Sequence, residues 1–194
     1  MTAKRKDTSM LAKTPKTERT PSPLWTDLLL VAFLVGFDVV ARLLPHAPGF
    51  MPIAASALFA GRMLRIPGIA PIVPLAAMAL SGSFMGPDDW RVTLVVYAAL
   101  TLPAFAGMVS QRWRGVAVPF LAMLPCSLLF FAASNFAVWA FSGLYSLDGQ
   151  GLAQCFIAAL PFLQNTLAGD MFWTAVLFGG AFMVQGLPAL SRSR

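Results

Sequence analysis

Long apolar blocks, punctuated by Pro and by polar clusters, organise this chain. A helix needs about 20 residues to cross a hydrocarbon core of roughly 30 Å, and Pro or polar clusters mark helix ends. On that test six spans are predicted, at Leu24 to Leu44, Phe50 to Leu64, Pro67 to Phe84, Trp90 to Gln111, Gly115 to Phe141 and Asn165 to Leu187. The second and third are short and read as a tight pair joined at Arg62, Arg65 and Pro67. The apolar stretch from Gly151 to Leu163 is too short to cross, which predicts an interfacial or re-entrant helix before the last span. Pro71, Pro74, Pro103, Pro119 and Pro125 fall inside the apolar blocks, so kinked or broken helices are expected.

The ends of the chain differ from these blocks. Residues 1–23 are polar and basic and predict a disordered tail; residues 188–194 form a short second tail, leaving 24–187 as the membrane domain. A secretory signal would follow its basic region with a short apolar stretch and a cleavage site. Here the first apolar block is long enough to span and lacks such a site, so it is expected to be retained. A mitochondrial presequence fits less well, because the tail shows little amphipathic periodicity.

Composition removes the main alternatives. The 194 residues are 58% hydrophobic and 11% charged, against roughly a quarter charged in soluble domains. Too few polar residues remain to cover a soluble globule of this length. Two Cys and one His supply neither a disulfide framework nor a metal-ligand set. The net charge of +6 is topological rather than a sign of nucleic-acid binding. Arg62, Arg65, Arg112, Arg114, Arg192 and Arg194, with six basic residues of the first tail, fall on one side; only Arg42 and Arg91 fall on the other. This asymmetry predicts six spans with both termini cytoplasmic, and it lets the basic tail rest on anionic lipid, worth about 1 kcal/mol per basic residue near the surface.

A charged residue at the centre of a span costs at least about 2.5–3.5 kcal/mol and so needs a partner, a wet cavity or a function. Asp38 and Arg42 stand four apart on one face of the first span, and His46 follows Pro45 at its outer mouth. Asn135 and Trp139 occupy the outer end of the fifth span; Asn165 and Asp170 open the sixth, placing Asp170 about 8 Å below its start. Phe50, Trp90, Tyr145, Phe172 and Trp173 lie nearby in sequence, and Asp88 and Asp89 fall on the outer loop before the fourth span. Together these predict an outward-opening pocket with apolar walls and a few polar anchors. Each residue also has a plainer role: an Asp38–Arg42 ion pair, a turn-capping His46, or an interhelical bond from Asn135. Asp170 is the hardest to account for, because its helix carries no basic partner.

Other chemistry is thinly represented. Cys126 and Cys155 read as inert buried thiols rather than a disulfide, and no metal is expected. No Gly-rich phosphate loop is present, so the chain would not power transport by itself. No nucleophile–base motif stands out for a hydrolase, so an enzyme is not expected. Trp25 and Trp113 fit an interfacial aromatic belt. Small residues spaced by four, which let helix backbones approach, occur as Ser56 with Ala60, Ala57 with Gly61, and Ala175 with Gly179, where internal packing is expected. The pair Ala32 and Gly36, set in a bulky face of the first span, predicts a partner-facing surface.

The runs RLLPHAPGFMPIAASALFAG (Arg42 to Gly61), SNFAVW (Ser134 to Trp139) and ALPFLQNTLAGDMFWTAVLFGG (Ala159 to Gly180) resemble a family of small uncharacterised bacterial membrane proteins. That family is grouped with the substrate-binding S components of energy-coupling-factor (ECF) vitamin transporters. The resemblance covers roughly residues 25–187. It implies an all-α, six-helix S-component-like bundle in the bacterial inner membrane that binds a vitamin or related micronutrient near the outer surface. It also implies docking through small residues of the first helix onto a transmembrane coupling protein driven by ATPases. Arg42, His46, Asn135, Asn165 and Asp170 match the family pattern. The chain departs from it at Gly49, Gly82 and Gln164, where Asn, Asp and a basic residue are more usual.

The expected function is therefore uptake-linked binding of a small organic micronutrient, without a cofactor, through Asp38, Arg42, His46, Asn135, Trp139, Asn165, Asp170 and Trp173, with Ala32 and Gly36 facing a partner helix. A non-transporting membrane scaffold or accessory subunit and a lipid-modifying membrane enzyme are the alternatives.

Overall fold

The computed structural model describes residues 23–83 and 89–191; the basic tail, Phe84, Asp88, Arg192 and Arg194 lie outside them. Every regular element among the described residues is a helix, with no strand: α1 (Pro23–Leu43), α2 (Ile53–Met63), a 3-10 turn (Pro67–Ile69), α3 (Ile72–Gly82), α4 (Trp90–Ser110), α5 (Val118–Phe141) and α6 (Gly149–Ser191). By length and apolar composition four stretches can cross a membrane: Leu24–Leu43, Trp90–Ser110, Val118–Phe141 and Gly149–Val184. α2 and α3 have 11 residues each, about 16 Å at the helical rise, roughly half a hydrocarbon core.

Two expectations change. The stretch from Gly151 to Leu163 is not a separate re-entrant helix, nor does the last helix begin at Asn165: both belong to the single 43-residue α6, about 64 Å long. Pro161 lies inside it without ending it, and the helix runs past Leu187 to Ser191. Nor do the other prolines break their helices. Pro71, Pro74 and Pro119 fall at or within the first turn of α3 and α5, where a missing N–H costs nothing. α4 and α5 continue through Pro103 and Pro125.

The core forms around α2, whose residues Ala55 to Gly61 are all buried. It packs on α1, α3, α4, α5 and α6. Small side chains permit this: Gly61 and Gly107 meet where α2 crosses α4, and a Cβ on either would collide with the backbone carbonyl of Ala104 or Leu58 respectively. The Ser56/Ala60 and Ala57/Gly61 pairs thus serve internal packing, as expected. Ala175 and Gly179 do not. Ala175 is exposed, and a Cβ added at Gly179 would meet nothing within 4 Å. The outer faces of α1, α4, α5 and α6 carry exposed Phe33, Val40, Leu94, Phe105, Leu121, Leu129, Phe172 and Phe182, as lipid-facing surfaces require.

Polar contacts identify the two ends of the bundle. At one end the Asp27 carboxylate accepts from the Ile66 amide at 2.8 Å, and Arg62 donates to the carbonyls of Ser110 and, at 2.7 Å, Trp113. Arg62 and Arg65 therefore lie at the same end as Arg112 and Arg114. At the other end Arg91 stacks over Trp90 and Phe141, 5.6 and 5.7 Å from the ring centroids. Exposed Trp25 and Trp113 stand at the first end and exposed Trp90 at the second, which suits interfacial belts.

Asp148 caps α6. Its carboxylate accepts from the Gly151 amide at 2.7 Å and the Ser146 hydroxyl at 3.0 Å, and the Gly151 N–H, followed by the Ser146 hydroxyl, holds it below the usual carboxylate range. A carboxyl lowered on folding stabilises above its unfolded value of about 4. The cap is therefore fully present at neutral pH and lost as pH falls through the lowered value. Asp148→Ala is expected to speed hydrogen exchange at the Gly151 and Leu152 amides at pH 7 and to leave the middle of α6 unchanged.

Candidate functional site

Arg42, in the last turn of α1, and Asp170, in the middle of α6, line one cavity of about 240 Å³. Its walls are mainly apolar: Met51, Ile53 and Ala54 around the start of α2, Met78 of α3, Val96, Leu100 and Pro103 of α4, and Cys126 and Phe130 of α5. Asp170 is only 3% exposed. The Ser127 hydroxyl donates to its carboxylate across the α5–α6 contact, and also reaches the Met123 carbonyl at 3.2 Å. Arg42 donates to the Met78 sulfur, a weak acceptor.

The α1–α2 connection closes the cavity against α6. Gly49 has φ +82°, and a Cβ there would sit 2.6 Å from Thr166 Oγ1. Asn is the residue that most readily replaces Gly in such a left-handed conformation. One turn along α6, Gly169 admits Phe50, whose Cα would lie 2.9 Å from an added Cβ. Phe50 then packs on Phe172 and Trp173, with ring centroids at 5.5 and 6.3 Å.

The remaining candidates divide. Asp38 is fully buried, but its Oδ1 accepts from Ser56 of α2 at 2.7 Å, and its Oδ2 has no partner. Trp173 Nε1 and Thr174 Oγ1 are also buried without partners. Trp173 packs edge-on to Phe37 at 5.4 Å. His46, Asn135 and Trp139 are absent from the cavity lining and bond close to themselves: His46 Nδ1 donates to the Leu44 carbonyl, Asn135 Nδ2 to the Phe131 carbonyl, both at 2.7 Å, and Trp139 Nε1 to the Ser146 carbonyl at 2.9 Å. Asn165 is half-buried on α6 and does not line the cavity either. Cys126 and Cys155 are free thiols. Ala32 and Gly36 are both exposed on α1.

Two features correct the expected geometry. Because α6 starts at Gly149, Asp170 lies about 31 Å from its first turn rather than about 8 Å. It therefore faces Ser127 near the middle of α5 instead of sharing a depth with Asn135. The cavity's volume also falls below the roughly 300–1,000 Å³ of drug-sized sites. A more open recess of about 610 Å³ adjoins it, sharing Arg42, Met78 and Val96 and reaching Gly82, Trp90 and Tyr97. Gly82 thus lies on the recess wall, while Gln164 is exposed on α6.

Ser56, Ser127, Thr166 and Thr174 were not among the expected site residues, although the first two hold the two buried carboxylates. A double-mutant cycle on Asp38→Ala and Ser56→Ala is expected to be non-additive in thermal stability by about 1 kcal/mol, since either change alone removes the same bond.

No curated protein and no solved structure matches the chain at a significant level. The sequence profile of one family matches residues 23–190, the whole stretch from the start of α1 almost to the end of α6. The chain belongs to that family, the family of unknown function DUF6580.

Proposed function

We propose that this chain is a membrane-embedded binding protein for a small organic micronutrient, similar in role to the S components of ECF transporters, and does no covalent chemistry. The observation that carries this reading is one largely apolar cavity lined both by Arg42 from α1 and by buried Asp170 from α6. A guanidinium and a buried carboxyl on separate helices suit a ligand with an anionic group at one end and a cationic or amide group at the other. The adjoining recess gives it a route in from the end opposite Arg62 and Arg112.

In this reading α2 and α3 complete six crossings, half-length helices being tolerated where protein rather than lipid surrounds them. The arginine-rich end faces the cytoplasm of a bacterial inner membrane, with both termini. Energy for release comes from a separate coupling protein and ATPases, docked where Ala32 and Gly36 leave the α1 backbone open. The Asp38–Ser56 and Asp170–Ser127 bonds, each tying two helices together, favour the second reading, a scaffold in which polar groups only hold the bundle.

Thermal melting of the purified protein against a panel of water-soluble vitamins and their compact precursors separates the two. A binder shows a concentration-dependent rise in Tm with at least one compound, and Arg42→Gln abolishes that rise. A scaffold shows no rise with any compound, while the same substitution lowers Tm.

A further inference from the structure

At the arginine-rich end, α5 and α6 enclose a second, separate groove of about 610 Å³. Its lining includes Phe120 of α5 with Ala175, Phe178, Gly179 and Phe182 of α6, and Arg62 of α2. The groove exists because Ala175 and Gly179 do not pack against a neighbouring helix: an added Cβ at Gly179 would meet nothing within 4 Å. Since α5 and α6 are apolar enough to cross a membrane, what reaches this groove from the side is the bilayer itself.

The charges at its mouth have one sign. Arg62 donates to the Ser110 and Trp113 carbonyls, which fix the guanidinium without neutralising it. Exposed Arg114 and Arg112 stand one and three residues before Gly115, which lines the groove. Among the described residues no carboxylate pairs with any of the three arginines; the nearby acid, Asp27, is buried and bonded to the Ile66 amide. An apolar groove beside guanidinium groups that pair with no carboxylate among the described residues complements a molecule with an acyl chain and an anionic head.

We propose that this groove is a binding site for one anionic phospholipid, its acyl chain between Phe120 and Phe178 and its phosphate at Arg62, Arg112 and Arg114. The site is distinct from the Arg42–Asp170 cavity and does not depend on what that cavity binds.

Native mass spectrometry of the detergent-purified full chain, titrated with palmitoyl-oleoyl phosphatidylglycerol or with the phosphatidylcholine of the same chains, tests this. The wild type is expected to retain one phosphatidylglycerol at least tenfold more tightly than phosphatidylcholine. Gly179→Trp, which fills the groove from an open position, should lose retention of both lipids with its melting temperature unchanged. Arg112→Gln combined with Arg114→Gln should leave retention but remove most of the headgroup preference, at roughly fivefold per arginine. Equal retention of the two lipids by the wild type, or retention of phosphatidylglycerol undiminished in Gly179→Trp, would overturn the proposal.

Discussion

Gly107→Val is expected to prevent recovery of a folded, monodisperse protein, whereas Gly36→Val on the same purification is expected to behave as wild type. The two glycines sit in opposite surroundings. At Gly107 even a methyl group would run into the Leu58 carbonyl and come within 3.0 Å of the Arg62 amide nitrogen. Overpacking a core ordinarily costs about 1–3 kcal/mol because side chains shift. The obstacle here is the backbone of α2, which is bounded by five other helices and has nowhere to move. The expected cost therefore exceeds that range and consumes much of the 5–15 kcal/mol typical of domain stability. At Gly36 an added Cβ meets nothing within 4 Å. Size-exclusion chromatography and thermal melting of the two variants in one detergent give the comparison.

Asp170→Ala is the second large effect, and it falls on binding rather than on folding. Truncating one partner of a buried, hydrogen-bonded charge contact costs about 2–5 kcal/mol, so under the proposed function affinity for the ligand should drop at least about thirtyfold. Folding is expected to survive, because Ser127 retains the Met123 carbonyl as a second acceptor. Asp170→Asn keeps an acceptor for Ser127 but no charge, so it should fall between wild type and Asp170→Ala. Ser127→Ala leaves the carboxylate in place with less to orient it, and a smaller loss is expected. Isothermal calorimetry with a compound that raises the wild-type Tm measures all three variants.

The contrast between Gly107 and Asp170 reflects how this sequence encodes its structure. The ends of α1, α4 and α5 lie within about three residues of those expected, because Pro23, Asp89 and the Arg112–Gly115 segment interrupt the apolar blocks. The length of α6 departs from the pattern for a physical reason. Gln164 and Asn165 read as a polar break, yet amide side chains fit within a helix whose backbone bonds are already satisfied, and Pro161 did not end it. Only tertiary contacts reveal the long helix: Phe131 meets Phe156 at 5.7 Å, Phe50 meets Gly169, and Phe59 meets Phe178 at 5.0 Å, all along one continuous element.

The cavity was partly legible. Arg42 and Asp170 stood out because a charge in an apolar block needs an explanation, and both line it. Ser127 gave no such signal, since a serine inside a helix ordinarily bonds the carbonyl one turn back; its second contact, to Asp170, follows only from how α5 lies on α6. His46, Asn135 and Trp139 were misleading for the converse reason: their polar atoms find partners within seven residues, so proximity in sequence to the expected pocket did not bring them into it.

The central claim is that the cavity between Arg42 and Asp170 holds a small organic molecule. Native mass spectrometry of the protein extracted gently from its own cell membrane tests this most directly. The account predicts a single non-covalent adduct of small-molecule mass on the wild-type chain, released on activation and absent from Asp170→Ala. A bare wild-type chain in every preparation, or the same adduct retained by Asp170→Ala, would contradict it.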